Sequence, residues 1–185
     1  MEKDITFCTD LLNDFFSREK EAKRTWTISE TREYFEKVDA VWKEEALETP
    51  PPVRYIIHLG PEDGPKIGFF CYFYRVTYIP PEISFVVLRQ YQNQGFVTEA
   101  GRETMRYWRE EIGIKDICAL VSDSNVASRK VVAKLGFVRG GHVIFCGFSP
   151  RAEKLGAYIL PGMRELDGPI VQFVGKSIDV KDETS

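Results

Sequence analysis

Between Phe85 and Trp108 the sequence reads FVVLRQYQNQGFVTEAGRETMRYW. A strand-forming run gives way after Leu88 to polar and aromatic residues, reaches Gly95, and resumes from Thr98 as an amphipathic pattern. The chemistry of such a stretch is carried by its main chain. The first turn of a helix presents N–H groups without intrahelical acceptors at the positive end of its dipole, so a short loop feeding that turn makes an anion cradle without a lysine. Gly95 lets the backbone approach a ligand that a side chain would fend off. An ordinary strand-to-helix connection explains the same residues on physics alone, and at this level both readings stand.

Other reactive side chains are scattered. The four cysteines, Cys8, Cys71, Cys118 and Cys146, lie far apart and form no C-x-x-C pair, so no metal is expected and buried free thiols in a reducing compartment fit them best. His58 and His142 have no partners at hydrolase-triad spacing and read as strand-end or exposed residues. Cys118 falls in the middle of a strand-like run, where a thiol is core rather than nucleophile.

The elements that must position the loop follow from periodicity. Leu11, Leu12, Phe15 and Phe16 predict a helix from Asp10 to about Lys20, and the cap residues of Thr27-Ile-Ser29-Glu open a second to about Ala46. Thr49-Pro-Pro-Pro-Val53 forbids further helix. Strands are predicted at Arg54 to His58, Lys66 to Val76 and Glu82 to Leu88, joined by Gly/Pro turns as an antiparallel meander. A helix from Thr98 to about Ile112, a strand from Lys115 to Val121, a helix from Asn125 to Leu135 and a strand from Phe137 to Phe148 come next. Residues 149–168 read as a loop, Pro169 to Gly175 as a last short strand, and Lys176 to Ser185 as a polar tail. The expected fold is α/β (α+β): a mixed, largely antiparallel sheet flanked by helices, in a single domain over residues 1–185.

With 43% hydrophobic and 29% charged residues the chain has material for a core, and a net charge of −3 gives no cationic face for nucleic acid. Met1 is followed by Glu, Lys and Asp rather than an apolar h-region, so no signal peptide is expected, and no apolar run approaches the roughly 20 residues that cross a bilayer. A cytoplasmic protein without membrane contact is expected.

The spacing Val87-x4-Gln92-x-x-Gly95-x-Val97 resembles motif A of the GNAT superfamily of acyl-CoA-dependent N-acyltransferases, whose signature is Gln/Arg-x-x-Gly-x-Gly/Ala. The run from Glu82 through Tyr91-Gln-Asn-Gln-Gly-Phe to Thr98-Glu-Ala is similar to the branch of ribosomal-protein alanine acetyltransferases. A second block, Asn125-Val-Ala-Ser128 ending in Lys134-Leu-Gly-Phe137, resembles that branch's Asn-x-x-Ser helix. The motif likeness covers Glu82 to Val138 in detail and Thr27 to Val143 in element order. Val97 stands where the signature has glycine or alanine, and the family's opening strand is shortened here to a stub at Ile5 to Cys8.

The resemblance implies acetyl-CoA as co-substrate and an acetyl transfer to an amine, by direct attack in a ternary complex. It places a diphosphate on the amides of Gln92, Asn93, Gln94, Gly95 and Val97, with the Thr98 hydroxyl adding a contact. The pantetheine arm is placed along the main chain of Val86, Val87 and Leu88, with the Val87 amide aimed at the thioester carbonyl. Asn125 and Ser128, one turn apart, are set against the arm and the leaving sulfur, where Ser128 can return a proton; a helix cap and a solvated hydroxyl are the plain alternatives.

An amine must lose a proton before it attacks, because an alkylammonium keeps it at neutral pH. Glu82 is the first candidate base, against a strand-end acid facing water. Glu99 orders the loop or assists. Tyr72 and Tyr74 are candidate acids or core residues. Phe85 and Phe96 leave room for a larger acyl group. The acceptor is a protein N-terminus, a lysine or a small amine, with Glu82, Glu99 and Glu103 compatible with a cationic one. A catalytically weak acyl-CoA sensor or interaction module is the rival reading, and a homodimer would cover an edge left by the shortened N-terminus.

Overall fold

The computed structural model describes residues 4–16, 25–44, 51–76, 78–146 and 152–172. The polar tail expected at Lys176 to Ser185 lies outside these residues.

Helix α1 (Ile5–Phe16) buries Ile5, Cys8 and Leu12 on one stripe, with Leu11 beside them. The strand stub expected at Ile5 to Cys8 is therefore corrected to the first turns of a helix. A strand would send Ile5 and Cys8 to opposite faces, whereas the helical period buries both. Helix α2 (Ile28–Glu44) starts from a reciprocal cap. Thr27 Oγ1 accepts from the Glu30 amide at 3.2 Å, and Glu30 Oε2 accepts from the Thr27 amide at 2.8 Å. A buried hydrogen bond from Thr9 Oγ1 to Thr31 Oγ1, 2.9 Å long, joins the two helices.

Seven strands form one sheet in the order β1-β2-β3-β4-β6-β5-β7. β1 (Val53–His58), β2 (Lys66–Phe73) and β3 (Glu82–Val87) are the expected antiparallel meander. Their alternation sorts the core into two layers. Phe69, Cys71, Phe73 and Val86 meet Leu11 of α1 and Tyr34 of α2. Phe70, Tyr72, Ile83 and Val87 turn to the opposite face, where α3 (Phe96–Tyr107), its widened last turn at Trp108–Ile112 and α4 (Val126–Lys134) supply Met105, Trp108 and Val132.

The second half of the sheet holds a strand in the region expected to be a loop. β4 (Cys118–Val121) and β5 (Val138–Cys146) do not pair with each other; β6 (Glu153–Ile159) lies between them, antiparallel to both. Its Gly156 and Ala157 disguise it. Gly156, Ala157, Tyr158 and Ile159 are all buried, so no polar alternation marks the strand, and a Cβ at Gly156 would stand 2.9 Å from the Arg139 guanidinium carbon. β7 (Leu166–Gln172) starts earlier than expected and adds a parallel outer strand beside β5, an edge position that tolerates Pro169.

Two expectations follow for stability. Gly68 in β2 has no space for a side chain, since a Cβ would lie 2.4 Å from the Val86 carbonyl oxygen. Gly68→Ala must displace β3 and is expected to destabilise the fold by about 1–3 kcal/mol, read from urea-unfolding midpoints. The second concerns thiols. Cys8, Cys71 and Cys118 are buried and free, Cys146 half-buried and free. Burial pushes Cys8 from an ordinary 9.0 up to about 11, and Cys71 up to about 12. Because the folded values are raised, the unfolded chain loses these protons first; their contribution is complete below pH 9 and is lost as pH climbs toward 11–12. A urea midpoint lower at pH 10 than at pH 7, with the difference reduced in Cys71→Ala, is the expected result.

Candidate active site

The loop leaving β3 spends some of its hydrogen bonds on itself and leaves others unspent. Leu88 C=O accepts from the Tyr91 amide at 2.9 Å and Arg89 C=O from the Gln92 amide at 3.2 Å. The Arg89 amide donates to Asp14 Oδ2 of α1 at 3.2 Å. Side chains brace the turn: Gln92 Nε2 donates to Val87 C=O at 3.3 Å and Gln94 Nε2 to Gln90 C=O at 2.8 Å. Asn93 and Gly95 take left-handed φ values of 60° and 90°. The first helical bond then runs from the Glu99 amide to Gly95 C=O, 3.0 Å.

The amides of Asn93, Gln94, Gly95, Phe96, Val97 and Thr98 have no acceptor among the described residues. Two left-handed residues feeding a helix N-terminus turn this run of donors toward one side, an arrangement suited to a phosphate. Of the amides expected in the cradle, that of Gln92 is taken by Arg89 C=O, and the Gln92 side chain braces the turn through Val87 C=O. The Phe96 amide joins in its place. It escaped sequence reading because α3 starts at Phe96 rather than at the expected Thr98.

Gly95 is required by its φ of 90°, and a Cβ there would meet nothing within 4 Å, so the approach to the amides is clear. Val97 sends its side chain into the core with Met105 and Trp108, which keeps its bulk out of the cradle. Thr98 is buried, and its hydroxyl has no partner among the described residues.

β3 and β4 build the second part of the site by failing to pair. They run parallel but share one rung, Glu82 opposite Cys118, closed by a 2.9 Å bond from the Cys118 amide to Pro81 C=O. Alternate residues of a strand turn their main-chain groups to opposite edges. The Leu88 amide reaches Ile67 C=O at 2.8 Å, which turns Leu88, Val86 and Ser84 toward β2 and Phe85 and Val87 toward β4. Past the first rung, the Phe85 and Val87 amides face the gap of a fork. The main-chain roles expected of Val86, Val87 and Leu88 are thereby narrowed. The Val87 amide lies on the edge of β3 away from β2. Leu88 has its N–H and C=O engaged by Ile67 and Tyr91, and Val86 is committed to β2.

Across the fork, α4 is held at its start. Asn125 Oδ1 caps it by accepting from the Ser128 amide at 3.0 Å, so the capping reading of Asn125 holds. The Asn125 main-chain amide is taken by Ser122 C=O at 2.9 Å, while the Ser128 hydroxyl and Asn125 Nδ2 have no hydrogen-bond partner among the described residues. The preceding loop is stapled by Arg129 to Asp123 C=O at 3.0 Å and to the Tyr158 hydroxyl at 3.1 Å. Arg139 pairs with Asp123 at 2.6 Å and holds its carboxyl below the usual range.

Glu82 does not face water. It is buried, and both oxygens accept from Arg75, at 2.7 Å from Nε and 3.1 Å from Nη2. A carboxylate so engaged is a strut before it is a base. Tyr72 and Tyr74 are core residues whose hydroxyls lie 2.6 Å apart; burial and its neighbour push the Tyr72 phenol well up. Cys118 is sealed, its thiol 3.3 Å from Pro80 C=O and raised well above the ordinary value by burial. His58 Nδ1 lies 3.0 Å from Gly64 C=O in a turn, and His142 sits within β5. Glu99 is exposed in the first turn of α3. Phe85 stacks on Phe70 and Phe96 meets Tyr91 edge-on. Among the described residues, no His, Cys, Asp and Glu side chains gather as a metal site and no helix is long and apolar enough to cross a membrane.

This architecture is shared. A chimera of the Vibrio cholerae spermidine N-acetyltransferase SpeG with hSSAT superposes with a TM-score of 0.64 at 17% identity, covering 86% of this chain and 90% of that one. The aminoglycoside acetyltransferase AAC(6')-Ib, in complex with coenzyme A and kanamycin, does so with a TM-score of 0.63 at 18% identity, over 86% and 90% of the two chains. At these identities the likeness is one of fold. In sequence, the chain is 34% identical over 80 residues to an uncharacterized N-acetyltransferase, YnaD, of Bacillus subtilis (strain 168), a match spanning 43% of this chain and 45% of that protein. The model of the acetyltransferase (GNAT) domain matches residues 6–138, which include the cradle, the fork and α4, and the chain belongs to that family.

Proposed function

We propose that the protein is an acetyl-CoA-dependent N-acetyltransferase that moves an acetyl group directly to an amine, working as one domain. The observation that carries this reading is the run of amides from Asn93 to Thr98 without acceptors, lying beside the open side of the β3/β4 fork. The co-substrate fits what is there. Its diphosphate meets donors that nothing else in the described fold satisfies, and its amide-bearing arm meets the edge of β3 that β4 leaves unpaired. Acetyl-CoA supplies an activated thioester carbonyl. The protein supplies the rest: Val87 N–H faces the gap where negative charge grows on the carbonyl oxygen, and a fixed donor there lowers the barrier. The Ser128 hydroxyl and Asn125 Nδ2, at the start of α4, are the groups assigned to meet the leaving sulfur.

An amine acceptor is supported by the relatives, among them spermidine and aminoglycoside acetyltransferases. A protein N-terminus fits the motif likeness to ribosomal-protein alanine acetyltransferases. Because Glu82 already serves Arg75, loss of the amine proton to solvent fits the site better than loss to this carboxylate. The same pairing favours the second reading, an acyl-CoA sensor with weak chemistry. Calorimetry with acetyl-CoA, followed by thiol-release assays over peptides, polyamines and aminoglycosides, separates the two. Binding without turnover on any amine selects the sensor.

Gly95→Glu is expected to abolish acetyl-CoA binding, since it strains a left-handed residue and sets a carboxylate where the diphosphate belongs; wild-type affinity in this variant would refute the cradle. Glu82→Gln is expected to leave the limbs of the pH–rate profile in place while lowering stability by about 1–3 kcal/mol, the cost of replacing a charge-assisted pair with a neutral one. A shifted limb would make Glu82 the base after all.

A further inference from the structure

Arg75 belongs to no strand or helix. It lies in the segment between β2 and β3, with its side chain 10% exposed and that of Glu82 6% exposed. Its guanidinium donates to both oxygens of Glu82, the residue that makes the only rung of the fork. The guanidinium carbon also lies 5.1 Å from the ring centroid of Phe73 on β2 and 5.0 Å from that of Phe145 on β5. β2 and β3 stand on one side of the fork, and β5 stands on the other, beyond β4 and β6. The side chain therefore reaches across the division of the sheet. Val76 and Phe145 both pack against the cluster of Ile79, Val143 and Ala157, so the Arg75 segment and β5 share one apolar patch.

We propose that Arg75 is a positioning residue: a tie across the base of the fork that sets the separation of β3 and β4, and with it the width of the slot for the pantetheine arm. The inference rests on the reading that this slot takes the arm. A single rung sets register but leaves the angle between strands loose, and a full ladder would close the slot. A planar guanidinium held by two oxygens and two rings fixes that angle with the slot still open. Hydrophobic residues of equal volume would serve stability as well as this ion pair, so its particular contribution is geometric.

The test compares two rings touching the same cation. Phe73 is buried on the β3 side, and Phe145 is half-buried across the fork. Calorimetry measures affinity for acetyl-CoA and for 3′-phospho-ADP, which has the diphosphate and no arm, in the wild type, Phe145→Leu, Phe73→Leu and Arg75→Lys, alongside thermal unfolding. Phe145→Leu and Arg75→Lys are expected to weaken acetyl-CoA about tenfold, the scale of one desolvated cation–π contact, and to leave 3′-phospho-ADP unchanged. Phe73→Leu is expected to lower the unfolding midpoint more than Phe145→Leu and leave the ratio of affinities unchanged. Equal losses for both ligands in Phe145→Leu, or a ratio that tracks the unfolding midpoint across the variants, overturns the tie. A wild-type chain that binds 3′-phospho-ADP but gains nothing from the arm also overturns it, with the cradle left intact. Binding of neither ligand removes the coenzyme reading itself, and the tie with it.

Discussion

The single hydrogen-bonded rung between β3 and β4 is the constraint from which the site follows. Parallel neighbours in a sheet ordinarily satisfy each other's main chain over their whole length. Here the pairing stops after Glu82 and Cys118, so the Phe85 and Val87 amides turn into a gap. The loop amides that follow are unsatisfied for a different reason, the start of a helix. These two deficits are adjacent because β3 runs straight into the loop. A ligand with an anionic end and an amide-bearing arm answers both at once, which is why the vacancy reads as a binding site and not as a defect of packing.

Keeping such a gap open demands rigidity on both sides. On one, β3 is paired to β2 along its length, and Asp14 of α1 fixes the first amide of the loop. On the other, β4 is locked by β6, and the turn before α4 is stapled by Arg129 and Arg139 around Asp123. Buried Arg75 and Glu82 stand where these halves meet. An ion pair of this kind contributes little net stability, yet breaking it leaves an expensive charge behind. The arrangement therefore resists drift in geometry more than it deepens the folding well.

Much of this was legible in the chain. Gln92, Gly95 and Thr98 announced the loop, Thr27 and Glu30 announced a helix cap, and the Gly/Pro turns announced the meander of β1, β2 and β3. What stayed hidden depends on partners distant in sequence. Ile5 to Cys8 is too short to show its period, which becomes visible only in its burial with Leu12, Trp26 and Phe35. β6 carries glycine and alanine because Arg139 and neighbouring strands fill the space, so the packing that makes it a central strand erases its signature. Glu82 was correctly placed on its strand, but its chemistry is set by Arg75 in a segment that has no regular pattern to read. The division of labour among Val86, Val87 and Leu88 was hidden for a related reason: which edge of β3 faces the fork depends on its register with β2.

Recognition by main-chain groups also explains how a fold can persist while sequence drifts. An amide donates equally well from asparagine, phenylalanine or valine, so the cradle demands a backbone path and one residue free to take positive φ, and little else. Val97 illustrates the latitude: its amide faces the cradle while its side chain joins the core, so bulk at that position is absorbed by packing. Side-chain contacts are held to no such economy, because each substitution there changes shape and charge. The Arg75–Glu82 pair is of this second kind: its geometry depends on both side chains and on no feature of the backbone path alone.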